Sequence, residues 1–370
     1  MPAPRISCII LSNGPRNQLP VPPVEDPDAG REEPTLRALI TGVSGFVGSH
    51  LAECLLAETD WEISGTVYGP YDNISHVCER LRLYPAELSR LPVVEFVLEQ
   101  TQPDVIFHLA AMAVTGNSWR DPAATIQINM AMQANVLQAV VNLKLDSRVI
   151  VVGSSEEYGA VPENALPVDE SAPFRPLNPY AVSKVGQDML GLQYYLSHGI
   201  DTVRVRPFNH IGPRQRLGFV VSDFASQIAQ IEAGQADGMT PLSQARSAAH
   251  PQEPIMRVGH LGAERDFTDV RDVVRAYHLL VLHGEAGEVY NIGSGHSHAV
   301  REVLDTLLQQ SGVDIRVEPD PARMRPSDIP RVVCDYHKLH ERTGWEPRIS
   351  FEQSLADVLA YWRAQVSRTG

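Results

Sequence analysis

The feature that most constrains this chain is a glycine-rich turn caught between two different apolar patterns. The run Leu36 to Ile40 leads into Thr41-Gly42-Val43-Ser44-Gly45-Phe46-Val47-Gly48, and an amphipathic run follows to about Glu58. That order predicts strand, tight turn and helix. Gly42 permits the turn, Gly45 lets the backbone approach a diphosphate, and Gly48 lets the helix lie close to the strand. The helix start adds unpaired N–H groups and a partial positive charge, which suit an anion. The turn is therefore expected to hold a dinucleotide against Gly42, Ser44, Gly45, Phe46, Val47 and Gly48.

The pattern continues in the same style. Leu36–Thr41, Glu62–Tyr68, Asp104–Leu109, Arg148–Gly153 and Asp201–Pro207 read as buried strands, and stretches such as Pro122–Leu143 and Pro179–Ser197 read as helices between them. Strands alternating with helices predict an α/β fold built on a doubly wound parallel sheet of Rossmann type. Residues 36–208 form the expected dinucleotide-binding domain. Residues 265–293 return to it, with Arg265–His283 read as a helix and Glu288–Gly293 as a strand. Residues 209–264 and 294–365, richer in Pro and Arg, form the expected substrate-binding lobe. Residues 1–35 carry Pro20-Val21-Pro22-Pro23 and read as a disordered extension, and 236–254 as a mobile surface insertion.

Composition sets exclusions. A formal charge of −14 argues against a nucleic-acid surface while leaving room for a local basic pocket. Cys8, Cys54, Cys78 and Cys334 show no metal spacing and read as reduced, mostly buried thiols of a cytoplasmic protein. His296 with His298, and His337 with His340, lack a third ligand, so no metal is expected. No apolar run approaches the roughly 18 residues of a membrane span.

The chemistry concentrates in two segments. In Asn178-Pro179-Tyr180-Ala181-Val182-Ser183-Lys184, Asn178 is a good N-cap and Pro179 suits the first helical position. Tyr180 and Lys184 then share one helix face. An ammonium beside a phenol should ease its ionisation and fit Tyr180 for proton transfer. The strand Arg148–Gly153 delivers Ser154 and Glu156, within Gly153-Ser154-Ser155-Glu156-Glu157-Tyr158-Gly159, to the carboxyl edge of the sheet.

These segments resemble those of the extended short-chain dehydrogenase/reductase family, in its nucleotide-sugar-modifying branch, from about Leu36 to Trp362. The resemblance implies Tyr180 as proton donor, Ser154 as a second hydrogen-bond donor to the oxyanion and Lys184 as holder of the nicotinamide ribose. It adds Leu109, Ala110, Ala111 and Pro207 to the dinucleotide site. Glu156 matches the position of a proton-abstracting Glu in the 4,6-dehydratases, or it only hydrogen-bonds sugar and loop; both readings stand. On the substrate side the resemblance implies Ser118, Asn209 in Phe208-Asn209-His210-Ile211-Gly212-Pro213, Val220, Arg265, Arg325 and Asp328. Arg265 and Arg325 would clamp a diphosphate.

The implied cofactor is NADP(H) or NAD(H). Thr66-Val67-Tyr68-Gly69, at the end of the second strand, offers neither the acid nor the arginine that would choose between them. Met324-Arg325-Pro326-Ser327-Asp328 and Leu217-Gly218-Phe219-Val220 are similar to segments of enzymes that act on GDP-sugars. The implied activity is therefore reduction of the C4 ketone of a GDP-linked 4-keto-6-deoxyhexose. Dehydration of GDP-mannose is the alternative, and a non-catalytic dinucleotide sensor ranks below both. A GDP-sugar is the expected partner, with the protein a homodimer through Pro122–Leu143 and Pro179–Ser197.

Overall fold

The computed structural model describes residues 35–113, 115–234, 254–323 and 329–369. The 1–34 extension, most of the 236–254 insertion, and Arg325 and Asp328 lie outside them. The main sheet comprises β1 Arg37–Thr41, β2 Glu62–Val67, β3 Arg82–Pro85, β4 Val105–His108, β5 Arg148–Val152, β6 Thr202–Pro207 and, later in the chain, Val289–Ile292. Between these last two come β7 Asn209–Ile211, β8 Ile255–Val258 and β9 Glu264–Asp269, which makes Val289–Ile292 β10. Its order is β10-β6-β5-β4-β1-β2-β3, parallel throughout. The expected strands agree with β1, β2, β4, β5 and β6 to within a residue at either end.

Both faces of the sheet are covered, which is why its central strands β1, β4 and β5 are apolar between their ends. Ala38, Ile40, Val105, Phe107 and Ile150 point into one core with the helices Phe46–Glu58 and Val270–His283. Their neighbours Leu39, Ile106, Val149 and Val151 point the other way, into a core shared with Leu91–Thr101 and Pro122–Leu143. Period-two alternation thus divides one strand between two cores. Chain direction across the sheet reverses between β1 and β4, so a crevice opens outside their carboxyl ends.

Two smaller sheets flank this edge. One has the order β11-β9-β7, with β11 Ser297–Ala299; the other pairs β12 Arg316–Pro319 with β8. A third core packs them against the helices Val220–Glu232, Val300–Gln309 and Phe351–Thr369. One expectation is corrected here. Arg265–Asp269 is not the start of a helix but the strand β9, and the helix begins at Val270. Asp269 caps it by accepting from Arg271 N, a stop-and-start that the acidic sequence half disguised. The thiols are corrected as well. Cys54, Cys78 and Cys334 are all free, but only Cys334 is buried.

Candidate active site

The carboxyl edge of the sheet opens into a cleft of about 540 Å³. Its first limb is the glycine turn. Gly42 has φ +68, and a Cβ there would lie 3.2 Å from Ala110 Cα. Gly45 N donates to Gly42 O at 2.9 Å and closes the turn. At Gly48 a Cβ would strike Gly42 O and come within 2.8 Å of Val43 Cα, so the helix can seat itself only on glycine. That helix starts with no side-chain cap and no acid in its first turn. Its leading N–H groups are left for an anion, which fits a dinucleotide diphosphate.

Phe46, Val47, Leu109, Ala111 and Pro207 also line this limb; Ser44 and Ala110 do not. Ser44 instead offers its carbonyl to Asn73 Nδ2 at 3.0 Å, while Ala110 backs Gly42. Thr41 Oγ1 accepts from Leu109 N and Ala110 N at 3.0 and 3.1 Å. Asn129 then fastens the same loop by accepting from Met112 N at 2.8 Å and donating to Ser183 Oγ at 2.9 Å. A buried asparagine thereby ties the cofactor wall to the helix that carries Tyr180.

Ser154, Glu156, Tyr180 and Lys184 meet at the centre of the cleft. Asn178 caps the helix Pro179–His198 by accepting from Ala181 N at 2.8 Å, and donates to Glu156 Oε2 at 2.6 Å. Ser154 closes a capping box with Glu157, whose Oε1 accepts from Ser154 N at 2.7 Å. Ser154 Oγ accepts from Glu156 N at 3.2 Å and lines the cleft together with Tyr180. Lys184 Nζ donates to Val152 O at 2.8 Å and stands 5.8 Å from the centre of the Tyr180 ring.

The electrostatics overturn one expectation. Burial pushes the Tyr180 phenol up, the Glu156 carboxylate adds to that, and the Ser154 hydroxyl only partly offsets them. Lys184 does not outweigh this rise. Burial instead brings the ammonium down to about 8, against the pull of Glu157. Desolvation outweighs the helix-face pairing that the sequence suggested, and the phenol keeps its proton at neutral pH. Below it lies a buried charge network. Asp188 accepts from Arg204 and Arg206 at 2.7 and 2.9 Å, and Arg206 Nε reaches Glu157 at 3.3 Å.

The opposite wall runs through Phe208–Ile211, Arg214–Arg216 and Gly218–Val221, and includes Asn209 and Val220. Arg265 reaches the cleft from β9 and donates to Glu264 O and Ile329 O at 2.8 and 2.6 Å. Ser118 is buried in the short helix Thr115–Ser118 and does not line the cleft. Patterning missed Arg214, Arg216 and Arg323. With Lys184 and Arg265 they face the cleft, whose lining carboxylates are Glu156 and Asp223. The excess of cations inside a protein of charge −14 suits a diphosphate ligand. No spacing rule marks these arginines, because loops bring them together.

A family model described as GDP-mannose 4,6 dehydratase matches residues 39–358. The chain belongs to this family. Among its relatives, the GDP-6-deoxy-D-mannose reductase of Pseudomonas aeruginosa is 37% identical over 90% of this chain and 99% of its own length. GDP-mannose 4,6 dehydratase 1 of Arabidopsis thaliana is 27% identical over 88% of this chain and 89% of its own. The solved structure of RMD from Pseudomonas aeruginosa complexed with NADPH superposes with a TM-score of 0.73. It is 34% identical and covers 89% of this chain and 99% of that one. The fold expected of an extended short-chain dehydrogenase/reductase is the one this chain shares with that solved relative. Among the described residues no helix is long and apolar enough to cross a membrane.

Proposed function

We propose that this protein reduces the C4 ketone of a GDP-linked 4-keto-6-deoxyhexose, using NADPH, to give GDP-6-deoxy-D-mannose. One observation carries the reading. Tyr180, kept protonated by burial, lines a cationic cleft together with Ser154. A reduction needs a proton donor that starts protonated, and burial supplies that here.

Residues 36–208 with 265–293 would hold the dinucleotide, and 209–264 with 294–365 the sugar nucleotide. The Gly42–Gly48 turn takes the cofactor diphosphate, and Lys184 the ribose hydroxyls next to the ring. Bound reduced nicotinamide supplies the hydride. As negative charge grows on O4 of the sugar, Tyr180 Oη gives it a proton and Ser154 Oγ donates a second hydrogen bond. Arg265, helped by Arg323, grips the substrate diphosphate, and Asn209 and Val220 flank the nucleotide; Arg325 and Asp328, outside the described residues, keep only the roles that the resemblance implies. NADPH is favoured because the solved structure of RMD from Pseudomonas aeruginosa is complexed with it.

Dehydration of GDP-mannose is the second reading, supported by the family description and by Glu156 on the cleft wall. Against it, Glu156 Oε2 is already engaged by Asn178. That fits a positioning role better than abstraction of a sugar proton. The two are separated by following cofactor absorbance and product. Reduction consumes NADPH with the 4-keto sugar nucleotide; dehydration consumes GDP-mannose with no net change in cofactor. Tyr180→Phe should lower reductase turnover by about 10²- to 10⁴-fold with sugar-nucleotide affinity unchanged, and an undiminished rate would end the assignment.

We place the enzyme in the cytoplasm as a homodimer. Val182, Tyr195 and Leu196, at 44, 36 and 71% exposure on the Pro179–His198 helix, support a partner there. Light scattering at the monomer mass would refute it.

A further inference from the structure

Tyr277 lies midway along the helix Val270–His283, at the floor of the cleft. It is fully buried, yet its Oη makes no hydrogen bond with any described residue. Buried hydroxyls without a partner are rare, because the desolvation cost is not returned. In a cleft, such a group is matched to what binds there.

Its surroundings say which ligand that is. Tyr277 belongs to the core that holds Ile40, Val43 and Phe107 beneath the glycine turn, and Phe46, Leu109 and Val152 pack on the same core. All three of the latter line the dinucleotide limb. Tyr180 stands close enough that its ionisation would push the Tyr277 phenol further up, beyond the rise that burial already causes. Tyr277 and Tyr180 line the same cleft, so the hydroxyl belongs to the part of the limb that a nicotinamide ring would occupy for Tyr180 to act. A neutral phenol both donates and accepts, and so does a carboxamide.

We infer that Tyr277 Oη hydrogen-bonds the carboxamide of the bound nicotinamide and so fixes the ring over the catalytic group. The inference rests on the reading of this limb as a dinucleotide site. It makes Tyr277 a residue whose hydroxyl burdens the empty protein and serves the loaded one.

The test is Tyr277→Phe, which removes one oxygen and keeps the shape. The dissociation constant for NADPH, from its fluorescence, should rise about 3- to 10-fold. Binding of 2′-phospho-ADP-ribose, which lacks the nicotinamide ring, should be unchanged. The melting temperature of the cofactor-free variant should equal or exceed that of the parent. Equal NADPH affinity would overturn the inference, as would equal loss for the ringless probe or a lower cofactor-free melting temperature. If the parent protein binds neither probe, the dinucleotide reading itself falls, a result the variant comparison cannot mimic.

Discussion

The two walls of the cleft are made by different means. The glycine-turn part of the proposed dinucleotide wall is continuous with regular structure: a strand, a three-glycine turn and a helix start, all within Arg37–Glu58. The wall proposed for the substrate draws Asn209 from β7, Val220 from a helix start, Arg265 from β9 and Arg323 from a short helical turn. One is local in sequence and rigid in geometry; the other exists only after distant segments meet. Single substitutions should therefore act through backbone packing on the first wall and through charge on the second.

The sharpest contrast is expected at Gly48. Gly48→Ala places a methyl where Gly42 O and Val43 Cα already stand, so the turn and helix must part. Overpacking of this kind costs about 1–3 kcal/mol. The opened turn would also lose its diphosphate contacts, raising the dinucleotide dissociation constant by about 10²-fold. Denaturant unfolding and NADPH titration check the two halves. A variant that unfolds earlier but binds normally would show that the turn is only structural.

On the other wall Arg265→Ala should leave dinucleotide binding and stability near parental values. KM for the sugar nucleotide should rise about 10- to 100-fold, as for a lost charge-assisted hydrogen bond. Equal effects on both ligands would erase the distinction between the walls. Arg265 is a demanding case because it also donates to Ile329 O, so a pure charge effect requires Arg265→Lys to recover part of the loss.

This contrast also explains what the sequence made legible. Strand periodicity and the Gly42–Gly48 spacing are short-range signals, and they located the sheet, the turn and the helix that presents Tyr180 and Lys184. Ser154 and Glu156 followed because β5 ends just before them. Arg214, Arg216 and Arg323 gave no such signal, since nothing within a few residues of each records what it faces. The sign of the Tyr180 shift was misread for a related reason. Helix geometry reveals the ammonium four residues away, but burial, the dominant influence, depends on the whole fold.

Lys184 sharpens the comparison at a smaller scale. Its ammonium is brought down to about 8, so its charge is present below that pH and lost above it. Reduction should weaken about tenfold by one unit above the pKa, as the ribose loses its cation. Lys184→Arg, which does not titrate there, should flatten that alkaline limb even if its maximum rate is lower. A limb that persists unchanged would assign the titration to another group.

The smallest effect belongs to the seam between the walls. His50, on the helix of the glycine turn, binds Pro213 O through Nε2 at 2.9 Å and Arg214 Nη2 through Nδ1 at 2.8 Å. Arg214 is in turn held by Glu53, which also meets His76, and the Asp269 carboxylate adds a weaker pull. Both ring bonds are satisfied only by the neutral Nε2–H tautomer, since a proton on Nδ1 would face a guanidinium. Burial and then Arg214 accordingly bring the imidazole down to about 4 from 6.5. A folded pKa below the unfolded one means that the unfolded chain binds the extra proton first. The stability His50 contributes is thus present above pH 6.5 and lost as pH falls towards 4. At pH 5 the loss should be about 1–2 kcal/mol. His108, brought down to about 3 by burial, adds to the same acid slope, so His50→Gln should reduce that slope without abolishing it. Unfolding free energies measured from pH 7 to 4.5 decide the matter: an unchanged slope in the variant would mean that His50 does not titrate in the seam, and that packing and the Arg214–Glu53 pair join the two walls.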